Sequence, residues 1–422
     1  MTNYANYRLS NWYYLGILLM LSFCTRCAML DMDNMADSGT GLSFIAMLGL
    51  SVIQIPLLLF ILRERFKNRT EYIRFIPWFV LCYGLYFIWM TIITILADDT
   101  HNIMGLITIS LTILVFPFIL SCSYFRARYS DLDSWFYLAV IFLMLCICLQ
   151  YKNIYSLANV LATDKSHIGI SYFPLFVLPI LLLPSSRLIR YASIVVTSII
   201  IISSIKRGGL IALGASLMVY VLVKQFVNNK SSLRLIIIFV AVILVMGGVL
   251  YYITESTDNN IIDRISNISD DGGSGRDVLW EDTYRNIQNR DISYRLVGNG
   301  YRSTELTSSL QLPAHNDFLE IWHDFGGIGL ALYLLSFLSL CLYTLRLIKR
   351  KSRYAPYMAM IIVYYFIFSM ISIVILYPLT ALLLFTIGII AGLADREFEE
   401  KVRLENVQNS SSTIVINDYE HT

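Results

Sequence analysis

Long apolar runs recur from one end of this chain to the other, separated by short polar intervals. They fall near 12–30, 42–62, 73–97, 103–124, 134–151, 168–184, 190–205, 208–224, 235–253, 326–345, 356–376 and 378–394. Each is long enough to cross a hydrocarbon core of about 30 Å, given some tilt. Lipid cannot satisfy free backbone groups, so each run is predicted to be a helix. A spanning β-barrel is excluded, because its strands would alternate polar and apolar residues. The pattern therefore predicts an all-α polytopic membrane protein with about 12 transmembrane helices.

One interval breaks the rhythm. Residues 254–325 are mostly polar and separate the ninth run from the tenth. The expected organisation is then 1–253 for helices one to nine, 254–325 as one large external loop, 326–394 for helices ten to twelve, and 395–422 as a tail. The tail is polar, carries Ser410-Ser-Ser-Thr413, and is expected to be disordered because it cannot bury enough apolar surface. No internal repeat is visible.

The loop has its own pattern. Ile261, Ile262, Ile265 and Ile268 have helical spacing for an interfacial segment. Asp270-Asp-Gly-Gly-Ser-Gly275 reads as a flexible turn, and 276–287 as a helix with Val278, Leu279 and Trp280 turned inward. Gly298-Asn-Gly300 breaks the chain again. A second helix is predicted to open at His315-Asn316, behind Pro313, with Phe318, Leu319, Ile321, Trp322 and Phe325 as its apolar positions. Gly326-Gly327 marks its junction with the next span.

Charge orients this scheme. Of 32 Lys and Arg residues, 21 lie in the termini and in the loops 63–74, 125–133, 185–190, 224–234 and 346–355. The positive-inside rule puts that set, and both termini, in the cytoplasm, with 254–325 outside. The first apolar run lacks a small-residue cleavage site and is read as a retained helix. All seven cysteines lie in or beside apolar runs, so neither a disulfide framework nor a metal cluster is expected. No basic stripe with interleaved aromatics supports nucleic-acid binding.

The external loop holds six arginines and no lysine. The guanidinium fork grips phosphate or carboxylate bidentately, which an ammonium cannot do. Arg276 follows the glycine turn. Arg207 sits in Ser203-Ser-Ile-Lys-Arg-Gly-Gly209, at the expected outer turn between two short runs. Arginine near membrane depth costs about 2.5–3.5 kcal/mol on insertion scales, so it is usually paired or used. His315, with an ordinary pKa near 6.5, is a candidate proton acceptor. Plainer roles stay open: Arg207 as a snorkelling or capping residue, Arg276 in a loop ion pair, His315 as a helix-start residue. Arg26 has Asp31 and Asp33 nearby as partners and a secondary claim to the site. Lys206 and the other loop arginines read as solvated or structural, with Lys206 also a secondary site candidate.

The arrangement Ser274-Gly-Arg-Asp-Val-Leu-Trp280, then Gly298-Asn-Gly300, then His315-Asn-Asp-Phe-Leu-Glu-Ile-Trp-His-Asp-Phe-Gly-Gly-Ile-Gly329 resembles the O-antigen polymerase and O-antigen ligase superfamily. The run Ser204-Ile-Lys-Arg-Gly-Gly-Leu-Ile-Ala-Leu213 is similar to that superfamily's upstream arginine motif, which usually has Ser-Arg where this chain has Lys206-Arg207. The resemblance covers about 190–345 and implies a GT-C-like glycosyltransferase of the bacterial inner membrane, with a periplasmic active site. It implies metal-independent, inverting transfer from an undecaprenyl-diphosphate-linked glycan, without a cofactor. Arg207 and Arg276 would hold the donor diphosphate and His315 would activate the acceptor hydroxyl. Lys206, Asn316, Asp317, Glu320 and Arg26 are secondary candidates, with Asp317 and Glu320 as alternative bases.

The expected reaction is polymerisation of O-antigen or related surface-polysaccharide repeat units, in some systems with a chain-length regulator as partner. The rival is ligation of the finished chain to a lipid A core. A lipid-glycan flippase or other transporter is a third reading. It predicts ionisable residues lining a path within the helices, whereas here the charges gather in the external loop.

Overall fold

The computed structural model describes residues 77–97, most of 113–128, 132, 134–160, 169–184, 186–204, 206–228, 272–374 and 379–419. Among these residues every regular element is helical and there is no strand. The helices are α1 (Trp78–Leu96), α2 (Ser134–Val160), α3 (Phe173–Leu181), α4 (Arg187–Ser203), α5 (Arg207–Asn228), α6 (Gly272–Gln288), α7 (Ile292–Val297), α8 (Ser303–Thr307), α9 (Asp317–Lys349), α10 (Ala355–Ile371) and α11 (Leu379–Tyr419). A 3-10 turn, Gly169–Tyr172, leads into α3. The expected runs near 12–30, 42–62 and 235–253, with part of 103–124 and the interfacial segment 259–268, lie outside the described residues.

Four helices are long and apolar enough to cross a membrane: Trp78–Leu96, Phe136–Ser156, Gly208–Asn228 and Asp317–Lys349, with Ala355–Ile371 shorter but also apolar. Their two faces differ in packing, not in polarity. On α1, Phe79, Tyr83, Tyr86, Phe87 and Met90 are buried, while Leu81, Leu85, Ile88, Ile92 and Ile95 are exposed at helical spacing. A soluble helix would carry polar residues on that second face; an apolar one is what lipid accepts. α9 repeats the arrangement, burying Tyr333, Ser336 and Leu340 and exposing Leu334, Leu338, Leu342 and Leu345.

The run near 168–184 behaves differently. It forms the 3-10 turn and a helix of only nine residues, all buried. About 14 Å of helix is too short for the hydrocarbon core. Pro174 and Pro179 remove backbone donors within it. This element is enclosed by α2, α4, α10 and α11 instead of facing lipid.

α9 is broken where Gly326-Gly327 was expected to mark a junction. Gly326 has φ 70° and ψ −178° inside an otherwise continuous helix. Residues 327–349 still provide about 35 Å of helix, enough to span. Asp317–Phe325 is thereby set off as a separate loop helix outside the span. Three further expectations need correction. Residues 272–275, read as a flexible turn, are the first turn of α6. Val278, read as inward, is 55% exposed, while Leu279 is buried as expected. Residues 395–405, placed in a disordered tail, continue α11, because Asp395, Glu397 and Glu399 there are bonded to neighbouring helices.

Candidate functional site

The chain from 298 to 326 is folded around one carboxylate that the sequence reading did not single out. Asp324 is 2% exposed. Its Oδ1 accepts from Ser303 Oγ at 2.8 Å, Thr304 N at 2.8 Å and Thr304 Oγ1 at 2.7 Å, and its Oδ2 from Arg302 N at 2.8 Å. Its backbone carbonyl accepts from Asn299 N and Gly300 N. One residue of α9 thus organises the chain from 299 to 304.

The glycines are what allow so close an approach. Gly298 and Gly326 both have positive φ, 93° and 70°. A Cβ on Gly298 would run into the Asp324 carbonyl and Phe325, and one on Gly326 into the backbone of Leu296. The backbones of 296–298 and 324–326 therefore lie in direct contact. Gly298-Asn-Gly300 was expected to break the chain; it does so by docking on the kink of α9.

Ser303, His323 and Asp324 have the residue types of a hydrolytic triad without its wiring. Ser303 Oγ donates to Asp324 and lies 3.1 Å from His323 Nδ1, while His323 Nε2 pairs with Thr307 Oγ1 at 3.0 Å. All three are buried, with Ser303 the most exposed at 4%. A nucleophile there would meet no substrate. The trio joins α8 to α9.

The predicted site residues are distributed around one end of α10. Arg207 is the first residue of α5, which packs along α10; its side chain lies outside the described residues. Its neighbours show why the Lys-Arg-Gly-Gly sequence suits this place. A Cβ on Gly208 would collide with Ile371, the last residue of α10, and one on Gly209 would stand 3.0 Å from the Tyr172 ring and 3.2 Å from Ile201. Lys206 Nζ lies 4.7 Å from the centre of the same Tyr172 ring. Tyr172 packs against Phe368, one turn before the end of α10, with ring centres 4.5 Å apart and planes tilted by 43°.

Arg276, partly buried on the first turns of α6, reaches this place electrostatically, since its charge acts on the Tyr172 phenol. One turn further along α6, the indole N–H of Trp280 is buried with no acceptor among the described residues. Lys206, the start of α5 and Arg276 are thus gathered about Tyr172.

The segment carrying His315 docks on the same end of α10. His315 is half-buried, with φ 52°, directly before the N-cap of α9. Asn316 caps α9 by accepting from Phe318 N at 3.0 Å and Leu319 N at 3.2 Å, and its Nδ2 donates to Met370 O at 3.3 Å. Asp317, fully buried, accepts from Val374 N at 2.9 Å and from the Tyr333 hydroxyl at 3.3 Å. Tyr333 in turn pairs with Ser369 Oγ at 2.8 Å. Glu320 Oε2 accepts from Ala314 N at 2.8 Å. Burial, reinforced by the charges of Asp324 and Asp317, raises the Glu320 carboxyl well above its ordinary range. Both carboxylates thus fasten the segment that presents His315. Arg26 lies outside the described residues. No three His, Cys, Asp or Glu side chains among the described residues are grouped as a metal site.

Residues 192–334 match the family model described as O-antigen ligase. The matched span contains Lys206, Arg207, Arg276, His315, Asn316, Asp317 and Glu320, and leaves out Arg26. It supports the O-antigen ligase and polymerase superfamily and, with the apolar helices, a membrane protein with that general type of function. No curated protein matches the chain.

Proposed function

We propose that this protein is a membrane glycosyltransferase that takes a glycan from an undecaprenyl-diphosphate carrier at its external face, and that it polymerises surface-polysaccharide repeat units. The observation that carries the reading is the gathering of Lys206, the start of α5, Arg276 and the His315 segment about one end of α10. These cationic positions suit a diphosphate. As the acceptor oxygen bonds to the anomeric carbon, the bond from that carbon to the phosphate oxygen breaks, and the electron pair leaves with the diphosphate. Fixed guanidiniums act most strongly on that growing charge, so they favour the transition state over bound donor. No metal is required in this scheme; attack from the face opposite the leaving group inverts the anomeric centre.

His315 takes the acceptor proton. Burial and bonding favour it over the alternatives. Asp317 is fully buried with both oxygens engaged, and Glu320 is 2% exposed with Oε2 taken up by Ala314 N, whereas His315 is half-open. Asp317, Glu320 and Asn316 fix where the imidazole stands.

The test is elongation by purified protein supplied with lipid-diphosphate-linked repeat units, without nucleotide or added metal. Arg276→Ala should lower turnover by about 10²–10³-fold, the size of losing one oriented charge-stabilising donor, and His315→Ala by about 10²–10⁴-fold. Full activity of both variants would remove these residues from the site. Ligation to a lipid A core is the second reading, which the description of the matching family favours. Supplying both acceptors to one preparation separates the two: chain growth on repeat units alone supports polymerase, and capture by core lipid alone supports ligase. Genomic neighbours devoted to polysaccharide units or to core synthesis give an independent check.

A further inference from the structure

Tyr172 has no part in the sequence motifs, yet it touches the elements that bring the cations together. It precedes α3, the short enclosed helix, and is 6% exposed. One side of its ring meets Phe368 of α10. Lys206 Nζ stands over the ring. Gly209 passes so close that even a methyl group there would stand 3.0 Å from Cε1. The phenol lies within the field of Arg276. Lys206 and Arg276 are separated by 70 residues of chain, and Tyr172 is the group on which both act.

We infer that Tyr172 is the positioning residue of the diphosphate site, and this rests on the function proposed above. The ring supports the Lys206–Gly209 turn, and the hydroxyl orients the Arg276 guanidinium. A cation over a phenol ring is attracted by its negative face and keeps its charge undiminished. A carboxylate in the same place would cancel that charge and compete with phosphate. An aromatic platform therefore suits a site whose cations must remain available to an anionic ligand. The tightness at Gly209 adds direction: the α5 start lies against the ring because residue 209 has no side chain to hold it off.

The probe is undecaprenyl diphosphate, bound at equilibrium by the full-length protein in detergent. Arg276→Ala should weaken binding about 10–100-fold, the range for a lost hydrogen bond to a charged group. Tyr172→Leu, which removes ring and hydroxyl, should weaken it about 10-fold in an otherwise natural protein and less than about 2-fold when Arg276→Ala and Lys206→Ala are already present, because residues acting through one another are not additive. Tyr172→Phe should lose only the part coupled to Arg276 and keep the part coupled to Lys206. Equal, additive penalties in both backgrounds would overturn the positioning role while leaving the site intact. If Arg276→Ala and Lys206→Ala themselves bind normally, the proposed diphosphate site fails first. Should Tyr172→Leu not fold, Tyr172→Phe decides: natural affinity, or a loss undiminished by Arg276→Ala, overturns the inference.

Discussion

The two ends of the helical bundle use carboxylates in different proportions. At the end formed by α9, α11 and the 113–128 segment, the bonds run mostly from side chain to side chain, with Arg353 N to Glu397 as a backbone exception. Asp395 accepts from the hydroxyls of Tyr124 and Tyr343, Glu399 pairs with Arg128, and Glu397 accepts from Ser352. Those bonds tie α11 to finished helices and to the α9–α10 connection. At the candidate-site end, each carboxylate also takes a backbone N–H: Asp324 those of Arg302 and Thr304, Asp317 that of Val374, Glu320 that of Ala314. There the acid shapes irregular chain. Irregular backbone has no partners of its own, so a buried acceptor that serves several donors becomes the organiser of the loop. Losing a tie between helices weakens a contact, whereas losing an organiser strands donors and moves a site.

The largest expected effect follows from that difference. Asp324→Ala leaves the N–H groups of Arg302 and Thr304 and two hydroxyls without their acceptor. At about 1–3 kcal/mol for each stranded group, the combined cost should exceed about 4 kcal/mol. Elongation should vanish, and limited proteolysis should cut within 298–312. A stable, active variant would mean that α9 does not organise this loop.

Next comes Gly326→Ala, which tests the same junction through backbone alone. Positive φ costs an L-residue about 1–3 kcal/mol, and the clash with Leu296 adds to it. A clear fall in the unfolding midpoint is expected, with loss of transfer. Asp395→Asn, at the opposite end, keeps an acceptor oxygen for one tyrosine. It should cost about 1–2 kcal/mol and leave elongation within about threefold of natural. An equal loss of activity from Asp395→Asn and Asp324→Ala would erase the distinction between the ends. The smallest effect belongs to Arg285→Ala. Its pair with Glu281 is 70% and 62% exposed, so stability should change by less than about 0.5 kcal/mol and activity not at all.

Much of this architecture was already written in the chain. Period and length of the apolar runs specify helices, because a backbone in lipid has no other way to satisfy itself. Glycines at 298, 300 and 326 marked the breaks, and the arginine content of 254–325 marked that loop as the candidate site. Short-range rules reached their limit in the 168–184 run. Apolar content cannot distinguish a helix that faces lipid from a nine-residue helix buried among its neighbours.

Other features existed only once the helices had packed. Asp324 looks like any acid in a polar stretch, and the reason for its burial is a set of donors about twenty residues earlier. Asp317 and Glu320 read as alternative bases in the chain; only packing reveals that both are buried and bonded to backbone N–H groups close to His315. Tyr172 carried no signal at all, since an isolated aromatic in an apolar run is most often core. Its meaning comes from Lys206, Gly209, Arg276 and Phe368, which no local pattern connects. Helix formation depends on neighbours three and four residues away; a site depends on surfaces that meet only after the long loops between them have closed.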